Sequence, residues 1–573
     1  MAGEGGTPLG QVLKNMKLVT ESQIQESLAI QKQRGGAIGR ILVELNYVTE
    51  EEVLTALGRQ AGMPVVELDE IEVSPELLER VSSSVATVYR IVPISFEDGK
   101  LTVAMADPLN IKILDDLRFL LDCEVRGAVS NEAAVARALD RYYAGREDTV
   151  EKLLSELDVT TLKDLPTSVS ESIDLASIEE MASIAPVRKL LNLVILQAIK
   201  DKSSDIHFEP FETEFKIRYR IDGVLYEMVP PPRQLALAIT SRIKVMSNLN
   251  IAERRIPQDG RLELNVSGNP VELRIAVLPT MFGESVVMRV LDRSVVSLDM
   301  EKLGLRDDEL TLMYKLLKLP NGIILVTGPT GCGKTTTLYA ALNFLNDPTV
   351  KIITTEDPVE YDLDGVMQVQ IRPEIGVTFA SCLRHILRQD PDKILVGEVR
   401  DKETAEIAIQ SSLTGHLVFS TLHTQDAPTT ITRLIDMGVE PYLVTATLEA
   451  TVAQRLVRRI CPQCKEEYAP SEEMLMMLNL TTQDVRGKQF YYGRGCDACN
   501  NTGYKGRMAI FEIMVTDDEL REVIMEGGST GMLRDVAMRH GMRCLRDSGL
   551  LAIYDGNTTI EEVSKETLMT EAL

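Results

Sequence analysis

The chain has 573 residues, 44% apolar and 26% charged, ordinary values for a soluble globular protein and long enough for several domains with cores of their own. Its 86 acidic and 61 basic side chains leave a formal charge of −25, which counts against a nucleic-acid surface, so no direct nucleic-acid partner is expected. The first residues lack the basic and apolar regions of a signal peptide. The longest apolar run, at 190–199, is half the roughly 20 residues a spanning helix needs, so the expectation is a cytoplasmic protein, peripheral at most to a membrane.

A repeat opens the chain. Leu9-Gly10-Gln11-Val12-Leu13 recurs loosely as Ile38-Gly39-Arg40-Ile41-Leu42, and the 29-residue register holds through Thr20/Thr49, Leu28/Leu57 and Gln31/Gln60. Each unit (9–31 and 38–60) carries a Thr N-cap before an amphipathic stretch, which predicts two tandem helical hairpins. Short strands at 90–95 and 100–104 and helices at 111–121 and 132–143 predict a small α/β unit. Together these segments make an N-terminal docking module, 1–148. Residues 149–182 are acidic and Ser/Thr-rich and read as a linker. A helix at 186–200 and strands and a helix through 277 predict a separate α/β domain at 183–300. From 301 to 573, apolar strands at 323–327, 351–355, 393–396 and 416–421 alternate with helices. That is the pattern of a mainly parallel sheet in a multidomain α/β protein.

The strand at 323–327 runs into Gly328-Pro329-Thr330-Gly331-Cys332-Gly333-Lys334-Thr335-Thr336 and then a helical segment. This G-x-x-x-x-G-K-T turn is a phosphate cradle: glycines let backbone N–H groups converge, and the helix N-terminus favours negative charge. Lys334 reaches the β/γ-phosphates, and Thr335 holds Mg²⁺. Two other strands end in acids, Glu356-Asp357 and Glu398 in Gly397-Glu398-Val399-Arg400-Asp401. In a parallel sheet these share an edge with the cradle and can converge on Mg²⁺ and water. His416 and His423, two of only five histidines, stand at opposite ends of one apolar strand, and a neutral histidine near the γ-phosphate could report its presence. Cys461/Cys464 and Cys496/Cys499 form two C-x-x-C pairs, read here as the four thiolates of a closed, structural Zn²⁺ site in an excursion at 461–499. Cys123, Cys332, Cys382 and Cys544 are isolated and read as ordinary small residues.

Four ordered motifs, 328–337, 354–360, 388–401 and 413–424, closely resemble the type II secretion and type IV pilus assembly ATPase family. The segments Ser204-Asp205-Ile206-His207 and Arg254-Arg255-Ile256-Pro257-Gln258-Asp259-Gly260-Arg261 resemble that family's domain before the motor. The resemblance implies a RecA-like motor domain, a homo-hexamer using ATP, Mg²⁺ and Zn²⁺, and work at the inner membrane with a platform protein and a cytoplasmic linker protein. It implies that Glu398 orders Mg²⁺ through water, Glu356 polarises the attacking water and His416 senses the γ-phosphate. Arg220 and Arg261, with Arg274 and Arg289 behind them, would reach a nucleotide on the adjacent subunit. The zinc excursion and long N-terminal module favour assembly over retraction. The N-terminal repeat is similar to a module that binds cyclic di-GMP, but Pro8 and Ala37 stand where that module has arginines, which favours protein docking. Two alternatives remain open here: a ring ATPase of DNA uptake or conjugation, and a nucleotide-gated scaffold that does not hydrolyse.

Overall fold

The computed structural model describes residues 9–143, 185–292 and 298–567, except 35–37, 109–111 and 267–268 and residues 46, 72, 82, 122 and 229. The expected linker at 149–182 lies outside the described residues. The chain falls into two compact units, Met1–Val295 and Val296–Leu573.

In the first unit the repeat forms two helical hairpins, with helices Leu9–Asn15 and Glu21–Arg34, then Ile38–Glu44 and Glu50–Ala61. Val12, Leu13, Val19 and Ile24 of the first hairpin pack with Leu42, Val48 and Ala56 of the second hairpin. Thr49 closes its helix with a capping box: its hydroxyl accepts from the Glu52 N–H, and the Glu52 carboxylate accepts from the Thr49 N–H at 2.8 Å. A three-stranded sheet follows, β1 (Ile91–Glu97), β2 (Lys100–Met105) and β3 (Glu124–Val129), in that spatial order.

Six antiparallel strands then form one sheet: β4 (Asp205–Pro210), β5 (Phe215–Ile221), β6 (Val224–Glu227), β7 (Gln258–Val266), β8 (Asn269–Thr280) and β9 (Gly283–Asp292), in the order β6-β5-β4-β9-β8-β7. Alternate residues (Ile206, Phe208, Tyr219, Leu273, Ile275, Met288) are buried in one core with helices Ala185–Lys200 and Leu235–Met246. With side chains alternating at period two, the opposite phase faces away from those helices. Cross-strand pairing lines up Arg220, Asp205, Arg289, Arg274 and Arg261 as one row over five adjacent strands.

The second unit holds a seven-stranded sheet: β10 (Gly322–Thr327), β11 (Ile352–Glu356), β12 (Met367–Gln370), β13 (Lys393–Val396), β14 (Leu417–Leu422), β15 (Leu448–Ile460) and, beyond the short hairpin β16 (Lys465–Tyr468) and β17 (Phe490–Gly493), β18 (Tyr504–Val515). The order is β12-β11-β13-β14-β10-β15-β18, parallel throughout except between β15 and β18. Ile323 and Leu325 belong to one core and Ile324 and Val326 to another, so helices cover both faces, as a parallel sheet requires. The long strands β15 and β18 were not among the elements expected from sequence. Both join the central sheet, β15 beside β10 and β18 beside β15.

Candidate functional site

Because β11, β13, β14 and β10 are adjacent and parallel, everything that follows their last residues meets at one edge. Thr355 pairs with Val396, Val396 with Ser420, and Leu422 with Thr327. Glu356, Glu398, His423 and the loop starting at Gly328 therefore stand side by side, in that order along the sheet. The loop turns through Gly328, Gly331 and Gly333, all with positive φ. Gly333, at φ 91°, caps the helix Lys334–Leu345. Thr335 presents an exposed side chain in the first turn. Lys334 is buried, and its ammonium donates to the carbonyls of Gly328 (2.8 Å) and Pro329 (3.1 Å). Burial pulls that ammonium below its ordinary pKa, opposed by Cys332 and by the negative charge of Glu398. Lys334 and Glu398 thus feel each other across the mouth of the cradle.

The two glutamates have different surroundings. Glu398 receives Arg400 Nη2 at 2.5 Å, and His423 Nε2 lies 3.4 Å from its other oxygen. Glu356 is 4% exposed and accepts from the hydroxyls of Tyr339 and Thr354 and from Gln368 Nε2 at 3.1 Å. Tyr339 sits on the helix that starts at Lys334, so that helix and the Glu356 strand are tied together through the acid itself.

His416 does not join this group. It precedes β14, whose first residue pairs with Gly322, the first of β10, so it lies at the sheet edge opposite the cradle. Its Nδ1 is engaged instead with the Ser411 carbonyl at 2.8 Å. The expectation that His416 senses the γ-phosphate is corrected on this ground; the histidine at the cradle edge is His423. The carboxyl-edge argument that located the glutamates would have found it. Sequence reasoning also missed Tyr339, Gln368, Gln454 and Arg455, none of which lies in a recognisable motif.

The four arginines expected to act on a neighbouring nucleotide all fall in the row on the first unit's sheet. Asp205 sits between Arg220 (3.6 Å) and Arg289 (3.1 Å), while Arg274 pairs across the strands with both Arg289 and Arg261. Arg274 also meets Glu272 at 3.4 Å, so the row alternates ion pairs with like charges directly opposed across the strands.

The cysteines meet as expected. Sulfur separations are 3.9 Å (Cys461/Cys496), 3.8 Å (Cys464/Cys499) and 3.7 Å (Cys496/Cys499), and all four sulfurs lie within 4.8 Å of one another. A tetrahedron with Zn–S bonds of about 2.3 Å has edges of about 3.8 Å, so the donor set fits Zn²⁺. Backbone N–H groups of Gly495, Cys496 and Gly503 each point at a sulfur from 3.3 Å, support that thiolates use and thiols do not need. Burial opposes ionisation of Cys499, yet the N–H groups of Cys496 and Gly503 bring its pKa down, while burial drives that of its neighbour Cys464 up, so the thiols titrate together.

The profile of the "Type II/IV secretion system protein" family matches residues 180–565, two thirds of the chain. The chain belongs to the type II/IV secretion system protein family. A second profile, the MshEN domain, matches residues 61–149. The chain is 44% identical to the type IV pilus assembly ATPase PilB of Myxococcus xanthus, over 98% of each chain. It is 42% identical to the type II secretion system protein E of Xanthomonas campestris, again over 98% of each. Among solved structures, the Legionella pneumophila ATPase DotB shares the fold (TM-score 0.50, 19% identity, 66% of this chain and 95% of that one). The family member described here is an ATPase. Among the described residues, no helix is long and apolar enough to cross a membrane.

Proposed function

We propose that this ATPase powers assembly of a pilus or pseudopilus, as a cytoplasmic homo-hexamer peripheral to the inner membrane. One observation carries the hydrolytic part: Glu356, Glu398, His423 and the phosphate loop share the carboxyl edge of four adjacent parallel strands. Backbone N–H groups of 330–336 cradle the triphosphate of ATP, and Lys334 leaves its own loop carbonyls for the β/γ-phosphates. Thr335 and Glu398 would hold Mg²⁺, which when bound neutralises charge building on the transferred phosphoryl group. His423, beside Glu398, offers a ring N–H to the terminal phosphate. Glu356 orients the attacking water once the hydroxyl of Tyr339 or Thr354 gives way. The row Arg220, Arg289, Arg274 and Arg261 suits a nucleotide on the adjacent subunit.

The assignment extends to the remaining segments. Residues 1–148 act as the docking module for the inner-membrane platform protein and the cytoplasmic linker protein, 183–300 as the domain that brings the arginines, and 301–573 as the motor. Zn²⁺ on Cys461, Cys464, Cys496 and Cys499 staples the 461–499 excursion.

Phosphate release by the purified chain with Mg²⁺ and ATP tests this reading against a non-hydrolysing scaffold. Turnover should be measurable, and Lys334→Ala and Glu398→Gln should each remove nearly all of it. Absence of turnover from the assembled parent chain would favour the scaffold.

A further inference from the structure

The phosphate loop rests on β15, a strand longer than the one that delivers the loop. Thr327, the last residue of β10, pairs with Ala453, so Gln454 and Arg455 continue past that end to where the loop begins. Contact there is close: a Cβ on Gly328 would come within 2.7 Å of the Gln454 carbonyl oxygen. Gln454 is fully buried, and both ends of its side-chain amide are used. Nε2 donates to the Cys332 carbonyl at 2.7 Å, and Oε1 accepts from the Thr337 hydroxyl at 2.8 Å. Its own carbonyl accepts from Arg455 Nη1 at 3.0 Å, while Arg455 Nη2 donates to the Gln425 carbonyl at 2.6 Å and side chain at 2.8 Å. The side-chain amide is therefore held at both ends, and Arg455 holds the main chain that carries it.

A trans peptide points its C=O and the following N–H in opposite directions. Fixing the Cys332 carbonyl against Gln454 therefore fixes the Gly333 N–H on the far side of the same plane. That N–H leads the row of backbone donors at the start of the helix. If the 332–333 peptide turned over, a carbonyl oxygen would face the phosphates. Glycine at 333 makes such a turn easy, since no Cβ resists it. The bond to Thr337, one turn into the helix, sets Gln454 by reference to the helix the donors belong to.

We propose that Gln454 is a positioning residue for the nucleotide: by holding the Cys332 carbonyl outward it keeps the Gly333 N–H aimed into the phosphate cradle. The inference rests on the ATPase reading above. The Gly333 N–H would serve ground and transition states alike, so its loss raises KM and spares kcat.

The test uses full-length protein, a fluorescent ADP and steady-state ATP hydrolysis. Gln454→Met keeps the volume and loses both bonds. It should weaken ADP binding and raise KM about tenfold, with kcat within about threefold of the parent. Thr337→Val loses only the anchor and should weaken ADP binding about threefold, and it decides the matter alone should Gln454→Met fail to fold. A residue that merely filled the core would lower the melting temperature without separating KM from kcat. Parent-like ADP affinity in the folded variants, or a loss confined to melting temperature, overturns the proposal. Failure of the parent itself to bind ADP would instead strike the ATPase reading.

Discussion

His423→Ala should slow turnover by about 10- to 150-fold, while His416→Ala should leave it within about threefold. His416 and His423 flank the same six-residue strand, and seven residue steps at about 3.3 Å put them about 23 Å apart. His423 lies 3.4 Å from Glu398, beside the loop that carries Lys334. A hydrogen bond to a charged group contributes about 1.5–3 kcal/mol, which converts to the stated range. His416, at the far edge, gives its Nδ1 to the Ser411 carbonyl, and losing that bond costs about 1 kcal/mol of stability without touching the chemistry. The assay is phosphate release at saturating and limiting ATP, paired with a thermal melt of each variant. A tenfold or larger slowing in His416→Ala with an unchanged melt, or parent-like turnover in His423→Ala, would refute the edge argument.

Two further outcomes follow from the same geometry. Elemental analysis of protein purified under reducing conditions should give close to one zinc per chain, and Cys464→Ser should release it and lower the melting temperature more than it weakens ADP binding; a parent chain free of zinc contradicts the tetrathiolate site. Glu512, 3% exposed, accepts from the first N–H of two helices, at Ala427 (2.7 Å) and Leu545 (3.1 Å), and burial lifts its pKa to about 7 from an unfolded 4.5. The folded chain then holds this proton more tightly than the unfolded one. The group's contribution, about 3 kcal/mol, is full below pH 4.5 and is lost as pH rises through 7. Between pH 5 and 8 the melting temperature of the parent should fall relative to Glu512→Gln by several degrees, and parallel curves for the two proteins would show that Glu512 does not titrate in this range.

Much of the site was legible because its signals are local. The cradle needs glycines, a lysine and a hydroxyl within eight residues, and the thiolate site needs two short C-x-x-C spacings. Both assembled as expected, and Thr49 capped the helix its position predicted. Strands β10, β11, β13 and β14 could be read because a buried parallel strand is a short, continuous apolar run. The strands β15 and β18 could not, since Arg455, Arg458, Arg507 and Glu512 interrupt their apolar pattern. The partners that let Arg455 and Glu512 be buried come from Gln425 and from two helix starts, 30 or more residues away.

The sequence by itself determined that this chain binds a nucleoside triphosphate and gathers four thiolates, because each of those ligand sets is nearly complete within a short span. Only the tertiary structure placed β14 between β13 and β10, next to the strand that carries the phosphate loop. It also decided that Glu356 is held by Tyr339 and Gln368, that four arginines form one row, and that Gln454 lies under the loop. Those facts depend on strand order and register, which long-range packing sets, and a one-residue slip would turn each side chain to the other face.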